Sequence, residues 1–166
     1  DYIGYKPVSL NYEIFKHQLK EMGRLGIKSI MYAGEGEPLL HKKINEIVLA
    51  TNKAGIDISF TTNATVMDRK FIESSLALTK WVKVSLNAGS ASTSAKIHQA
   101  KERDFENVIE NVKRATQFKR DNGIQCTVGV QVILLPENSH EIIELARLCR
   151  DEMSADYLVI KSYSQH

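Results

Sequence analysis

Five short runs rich in β-branched and apolar residues alternate along the chain with segments of helical periodicity. The runs are Ile27–Ala33, Ile56–Thr62, Trp81–Asn87, Cys126–Leu135 and Asp156–Lys161. They recur about every 32 residues, the length of one strand plus its crossover helix. Strands spaced in this way are expected to pair in parallel through right-handed crossovers. The first helix is read over 11–24 from Tyr12, Phe15, Leu19 and Met22, with Gly26 just past its end. The second runs over 40–54 on Leu40, Ile44, Ile47 and Val48, and Gly55 stops it. Asp68 opens a third, carrying Phe71, Ile72 and Leu76, and Asp104 a fourth, carrying Phe105, Val108, Val112 and Ala115 and closing near Gly123. Asn138 and Glu141 have capping-box spacing ahead of Ile142, Leu145 and Cys149. Ala88–Arg103, rich in Ser, Ala and Gly, reads as a long functional or mobile loop.

The order begins on a helix and ends on a strand. Adding one strand before and one helix after would make six βα units. The expectation is therefore a single domain, 1–166, truncated at both ends. The opening Asp1-Tyr2-Ile3-Gly4, without a methionine, reads as a processed product or an excised piece.

The strand faces narrow the architecture. Ile56, Ile58 and Phe60 alternate with Asp57, Ser59, Thr61 and Asn63; Val82, Val84 and Leu86 alternate with Lys83, Ser85 and Asn87. In the next run Val128, Val130, Val132 and Leu134 alternate with Thr127, Gly129, Gln131 and Ile133. A doubly wound sheet buries both faces and would read apolar throughout. One apolar and one polar face suit a partial (β/α)6 barrel whose lumen holds a polar ligand, with five parallel strands in this chain. A sheet with helices on one side and water on the other remains the alternative.

Composition removes several other classes. The 166 residues carry 22 basic and 20 acidic side chains, 43% hydrophobics and a net charge of +2. That balance makes no electrostatic case for nucleic acid. The longest apolar runs, such as Val128–Leu135, fall far short of the ~20 residues of a membrane span, and no signal peptide is visible. Cys126 and Cys149 make neither a disulfide framework nor a metal site. A cytoplasmic, reduced protein is expected.

The motif that carries chemistry is Gly34-Glu35-Gly36-Glu37-Pro38, directly after a strand and before a helix. Glycines let the backbone approach a ligand, and the carboxylates beside bare carbonyls suit an ammonium group. A tight turn whose acids favour a helix N-terminus accounts for it equally well. Gly-Glu-Pro at this place, with Thr62-Asn63 ending the next strand, Val84-Ser85-Leu86-Asn87 the one after, and Val132-Ile133-Leu134-Leu135-Pro136-Glu137-Asn138 the fourth, resembles the radical S-adenosylmethionine (SAM) family over nearly the whole chain.

The resemblance implies an enzyme, an oxidoreductase or transferase, in which a reduced [4Fe-4S] cluster cleaves SAM to a 5′-deoxyadenosyl radical. That radical abstracts hydrogen from a substrate in the lumen, with an electron donor for the cluster. The family's Cys-x3-Cys-x2-Cys segment is absent here, so the cluster is expected on a segment upstream of Asp1 and this chain alone is expected to be inactive. Glu35 stands where the family's turn has a glycine. Carried over, Gly34, Glu35, Gly36 and Glu37 would meet the SAM amino group. Ser85 and Asn87 would meet its carboxylate or ribose, Gln131 the ribose, and Asn63 would lie nearby. His98, Lys101 and Arg103 would face substrate, and Tyr163 and His166 follow the last strand, where the family contacts adenine. Two other readings stand beside this one. Lys83 or Lys161 could form a Schiff base as in aldolases, unless each pairs with a carboxylate such as Asp57. The barrel could also serve as a non-catalytic scaffold.

Overall fold

The computed structural model of the chain describes residues 8–34 and 36–163. Asp1–Gly4, Glu35 and His166, all singled out from sequence, lie outside the described residues. Asn11 caps the first helix, α1 (Tyr12–Arg24), by accepting the Ile14 N–H at 3.1 Å. The strands are β1 (Ser29–Tyr32), β2 (Asp57–Thr62), β3 (Trp81–Ser85), β4 (Thr127–Leu134) and β5 (Leu158–Ser162). Between them lie α2 (Ile44–Lys53), α3 (Arg69–Ser75), α4 (Ala91–His98), α5 (Glu102–Asp121) and α6 (Ile142–Arg147), which runs on into a π-helical turn, Leu148–Glu152.

All five strands pair in parallel, in the order β1-β2-β3-β4-β5. Successive right-handed crossovers in one direction put every helix on the same face; a doubly wound sheet reverses direction at a switch point. The helices form that single layer, α1 against α2, α2 against α3 and α3 against α5.

The buried rows follow the register. Phe60, Val82 and Val128 stand side by side, as do Thr62, Val84 and Val130, and all six are buried beneath helix residues such as Val48, Phe71, Ile72, Val112 and Leu145. Phe60 centres the row, its ring 5.3 Å from Tyr32 and 5.2 Å, edge on, from Phe71. A second cluster, Phe15 and Leu19 with Ile47 and Ile56, fastens α1 to α2. Ile58, Val84 and Val130 are covered as expected, and Thr61, Ser85, Asn87 and Gln131 are half-buried on or above the opposite face. Ser59 lies on that face too but is buried, its hydroxyl donating to the Ile30 carbonyl at 3.4 Å.

Three expectations need correction. Leu40 belongs to a separate 3-10 turn, Pro38–Leu40, and not to α2. Ala88–Arg103 is not an open loop, because it contains α4. Asn138 and Glu141 do not form a capping box; each turns its side chain to a distant strand end or helix. Asn138 is fully buried, donates to the Asn87 and Ile133 carbonyls and accepts the Leu135 N–H, all at 2.8 Å. Glu141 receives the start of α4: Gly89 N–H at 2.9 Å and the Ser90 and Thr93 hydroxyls at 2.6 Å.

Burial pushes the Glu141 carboxyl up, but the hydrogen bonds from Ser90, Thr93 and Gly89 outweigh it and hold its pKa below the ordinary glutamate value. A carboxylate lowered in this way adds stability above its unfolded pKa and loses that contribution as pH falls through the folded value. Glu141→Gln should therefore destabilise the domain at pH 7 by about 1–3 kcal/mol in urea unfolding. The gap from the parent should close as the pH drops below about 4.5.

Candidate functional site

The βα connections converge at the C-terminal edge of a parallel sheet, where ligands bind such folds. β1 delivers the turn at 33–41 to that edge. Gly34 has φ +152°, which a side chain rarely adopts, and both Gly34 and Gly36 are exposed. Glu37 caps the 3-10 turn through Leu39 N–H at 3.0 Å, and the same carboxylate accepts the Thr62 hydroxyl at 2.6 Å and Asn63 N–H at 2.7 Å. Its side chain therefore fastens the turn to the end of β2. Glu37, expected beside the SAM amino group, thus spends carboxylate acceptor capacity on the protein and places a negative charge next to the exposed backbone of Gly36.

Behind the turn, the segment Val8–Leu10 closes a cleft of about 450 Å3 lined in part by Gly34, Gly36, Pro38 and Ile44. His41 holds that segment. Its Nδ1 accepts the Lys43 N–H at 3.1 Å, so its Nε2–H donates to the Leu10 carbonyl at 2.8 Å.

The other sequence-derived residues divide by whether their polar atoms are already used. The Asn63 side chain accepts Thr65 N–H and its hydroxyl at 3.0 and 2.7 Å, and the Asn87 side-chain Oδ1 accepts Ile133 N–H at 2.8 Å. These two shape the ends of β2 and β3. Ser85 and Gln131 are register partners on the open face, half-buried, and their side chains have no protein partner among the described residues. Tyr163 is exposed just beyond β5. His98 ends α4, the helix whose start Glu141 holds, Lys101 is the N-cap of α5 and Arg103 lies in its first turn, so none of the three is on a strand of the sheet.

Sequence reasoning missed Tyr157. An ideal Cβ at Gly129 would sit 2.2–2.5 Å from atoms of the Tyr157 ring, so that ring lies in the space a side chain at 129 would take. The available signal was the glycine itself, since a glycine inside a strand often marks a close approach. Burial pushes the Tyr157 phenol up, with a smaller contribution from Asp156.

The lysines do not pair as one expectation had it. Asp57 faces Lys80 at 3.5 Å, while Lys83 lies over the Trp81 ring at 5.9 Å and Lys161 is exposed. Neither stands in the desolvated apolar pocket that activates a Schiff-base lysine. Cys126 and Cys149 are buried, and burial pushes both thiols up to about 12. Cluster and zinc ligands are thiolates, so these two cysteines do not fit an iron–sulfur group. Among the described residues, no group of three or more His, Cys, Asp or Glu side chains is placed to hold a metal ion, and no helix is long and apolar enough to cross a membrane.

The fold is shared with solved structures. SuiB of Streptococcus suis, in a crystal structure bound to S-adenosylmethionine, superposes with a TM-score of 0.75 at 20% identity over 98% of this chain. An archaeal TYW1 gives 0.71 at 16% over 96%, and native anSMEcpe with bound AdoMet gives 0.71 at 15% over 98%. The chain spans 36% of SuiB, 59% of the TYW1 and 45% of anSMEcpe. No curated protein matches it by sequence. The likeness to these structures is one of fold, a partial barrel of parallel strands. The family assignment comes from the sequence itself: the Radical SAM superfamily model matches residues 2–149, and the chain belongs to that superfamily.

Proposed function

We propose that the chain is the SAM-binding core of a radical SAM enzyme, and that SAM lies across the C-terminal edge of the open face. The observation that carries this is the pairing of exposed glycine backbone at 34 and 36 with unused polar side chains at Ser85 and Gln131. In this reading the turn carbonyls meet the SAM ammonium, with Glu37 holding the turn and contributing its charge. Ser85 meets the carboxylate or ribose and Gln131 the ribose. Asn63 and Asn87 keep the strand ends in shape. Bound SAM would supply the adenosyl group as the source of a radical; the substrate, held on the open face, and an electron donor complete the system. The [4Fe-4S] cluster that the superfamily uses would be held by cysteines other than Cys126 and Cys149.

Calorimetry with SAM on the intact protein tests the placement. Gly36→Val should abolish measurable binding while circular dichroism stays unchanged, and Glu37→Ala should weaken it by roughly 1–3 kcal/mol, because the turn loses its tie to β2 and the site its nearby negative charge. Unchanged SAM affinity in Gly36→Val would reduce 34–38 to a turn. For the cysteines, anaerobic reconstitution of these 166 residues with iron and sulfide should yield no cluster absorbance. Both thiols should stay unreactive toward a disulfide reagent until the domain unfolds. A stable cluster chromophore on this chain would overturn that assignment.

A further inference from the structure

The open face below the proposed SAM level carries a charge that no carboxylate among the described residues balances. Lys83 lies in register with Thr61 and Gly129, two residues before Ser85 and so about 7 Å deeper along the strand. Its ammonium has no carboxylate partner among the described residues. The acid that shares this face, Asp57, is engaged by Lys80 at 3.5 Å; Glu37 and Glu141 are taken up by Thr62, Asn63, Ser90 and Thr93. Around Lys83 the surface is aromatic. Trp81 lies 5.9 Å beneath the ammonium, and the Tyr157 ring fills the position of the missing side chain at Gly129, the register partner of Lys83. The Tyr157 hydroxyl also has no protein partner among the described residues. Lys161 adds a second cation nearer the mouth, on the same face, in register with Ile133.

We infer that Lys83, with Tyr157 beside it, receives an anionic group of the substrate, a carboxylate or a phosphate, on the floor of the open face. A half-buried ammonium over an aromatic ring is less screened than one in bulk water, and a face whose described residues offer cations and no free acid raises the local anion concentration. The Tyr157 hydroxyl, carried by the ring on the neighbouring strand position, would give an oxyanion with two acceptor atoms its second donor. The inference rests on the reading that places SAM at the upper edge and substrate below it.

Trp81 is the single tryptophan of the chain and reports on the site directly. Its fluorescence is followed while the protein is titrated with succinate, with inorganic phosphate and with chloride at matched ionic strength. A saturable change with succinate or with phosphate is expected, the stronger of the two naming the group, and chloride should give none. Lys83→Met should raise the apparent dissociation constant at least about tenfold, and Lys83→Arg should restore most of it. An equal response to chloride, or an unaltered response in Lys83→Met, would overturn the inference. SAM affinity by calorimetry should be unchanged in Lys83→Met. If SAM and succinate instead compete and the variant loses SAM, Lys83 belongs to the SAM site and the inference falls. If the parent binds no SAM yet keeps the Lys83-dependent anion response, the SAM placement fails and the anion site stands.

Discussion

A right-handed crossover returns each strand beside the last from the same side of the sheet, and repeating it without reversal leaves one face with no helices at all. Most of this domain follows from that asymmetry. The covered face must be filled, and it is filled by branched aliphatics and phenylalanines standing in register, Phe60 with Val82 and Val128, then Thr62 with Val84 and Val130. The bare face has no such demand. It can hold Thr61, Lys83, Ser85 and Gln131, side chains that would be costly on the other side.

At the rim between the two faces, polar atoms fall into two groups. Glu37, Asn87, Asn138 and Glu141 spend their hydrogen bonds on neighbouring strand ends and helix starts. Ser85 and Gln131, together with Lys83 and Tyr157 below them, do not. A saturated group holds its own geometry rigid, and an open one beside it is left with capacity for something else. The exposed glycine turn and the open side chains belong to the same surface because the saturated residues hold β1 to β2 and β3 to β4.

How much of this was legible in the sequence depended on the range of the interaction. Periodicity of two and of 3.6 is a local signal, and it located all five strands, the face that Ile58, Val84 and Val130 share, and the apolar stripe of α1. α4 was hidden because Ser90, Ser92, Thr93 and Ser94 favour turns and caps on their own, and what secures the helix start is Glu141, 48 residues beyond Thr93 in the chain. The Asn138 and Glu141 spacing is a sound local rule defeated by better distant partners: a buried Asn138 that bonds two carbonyls and an amide N–H outcompetes one exposed helix end. Glu37 was found by its motif, but its attachment to Thr62 and Asn63 depends on β1 and β2 being neighbours, which no short window reveals. Tyr157 left only the mark of a glycine on another strand.

The clamp at Asn138 also decides where this fold can change length. Leu135 to Ser139 is a tight turn, with Asn138 N–H and Ser139 N–H both on the Leu135 carbonyl at 3.2 and 3.0 Å, and Asn138 must reach Asn87 from within it. One inserted residue there would pull the amide away and release the ends of β3 and β4, and with them the alignment of Ser85 and Gln131. The return from α5 to β4, around Gly123, sits at the opposite end of the sheet and makes no such tie to the rim. Extra residues there cost only the slowly growing entropy of a longer loop. Descendants of this sequence are thus free to vary in length at the floor of the sheet and held to one length at its rim.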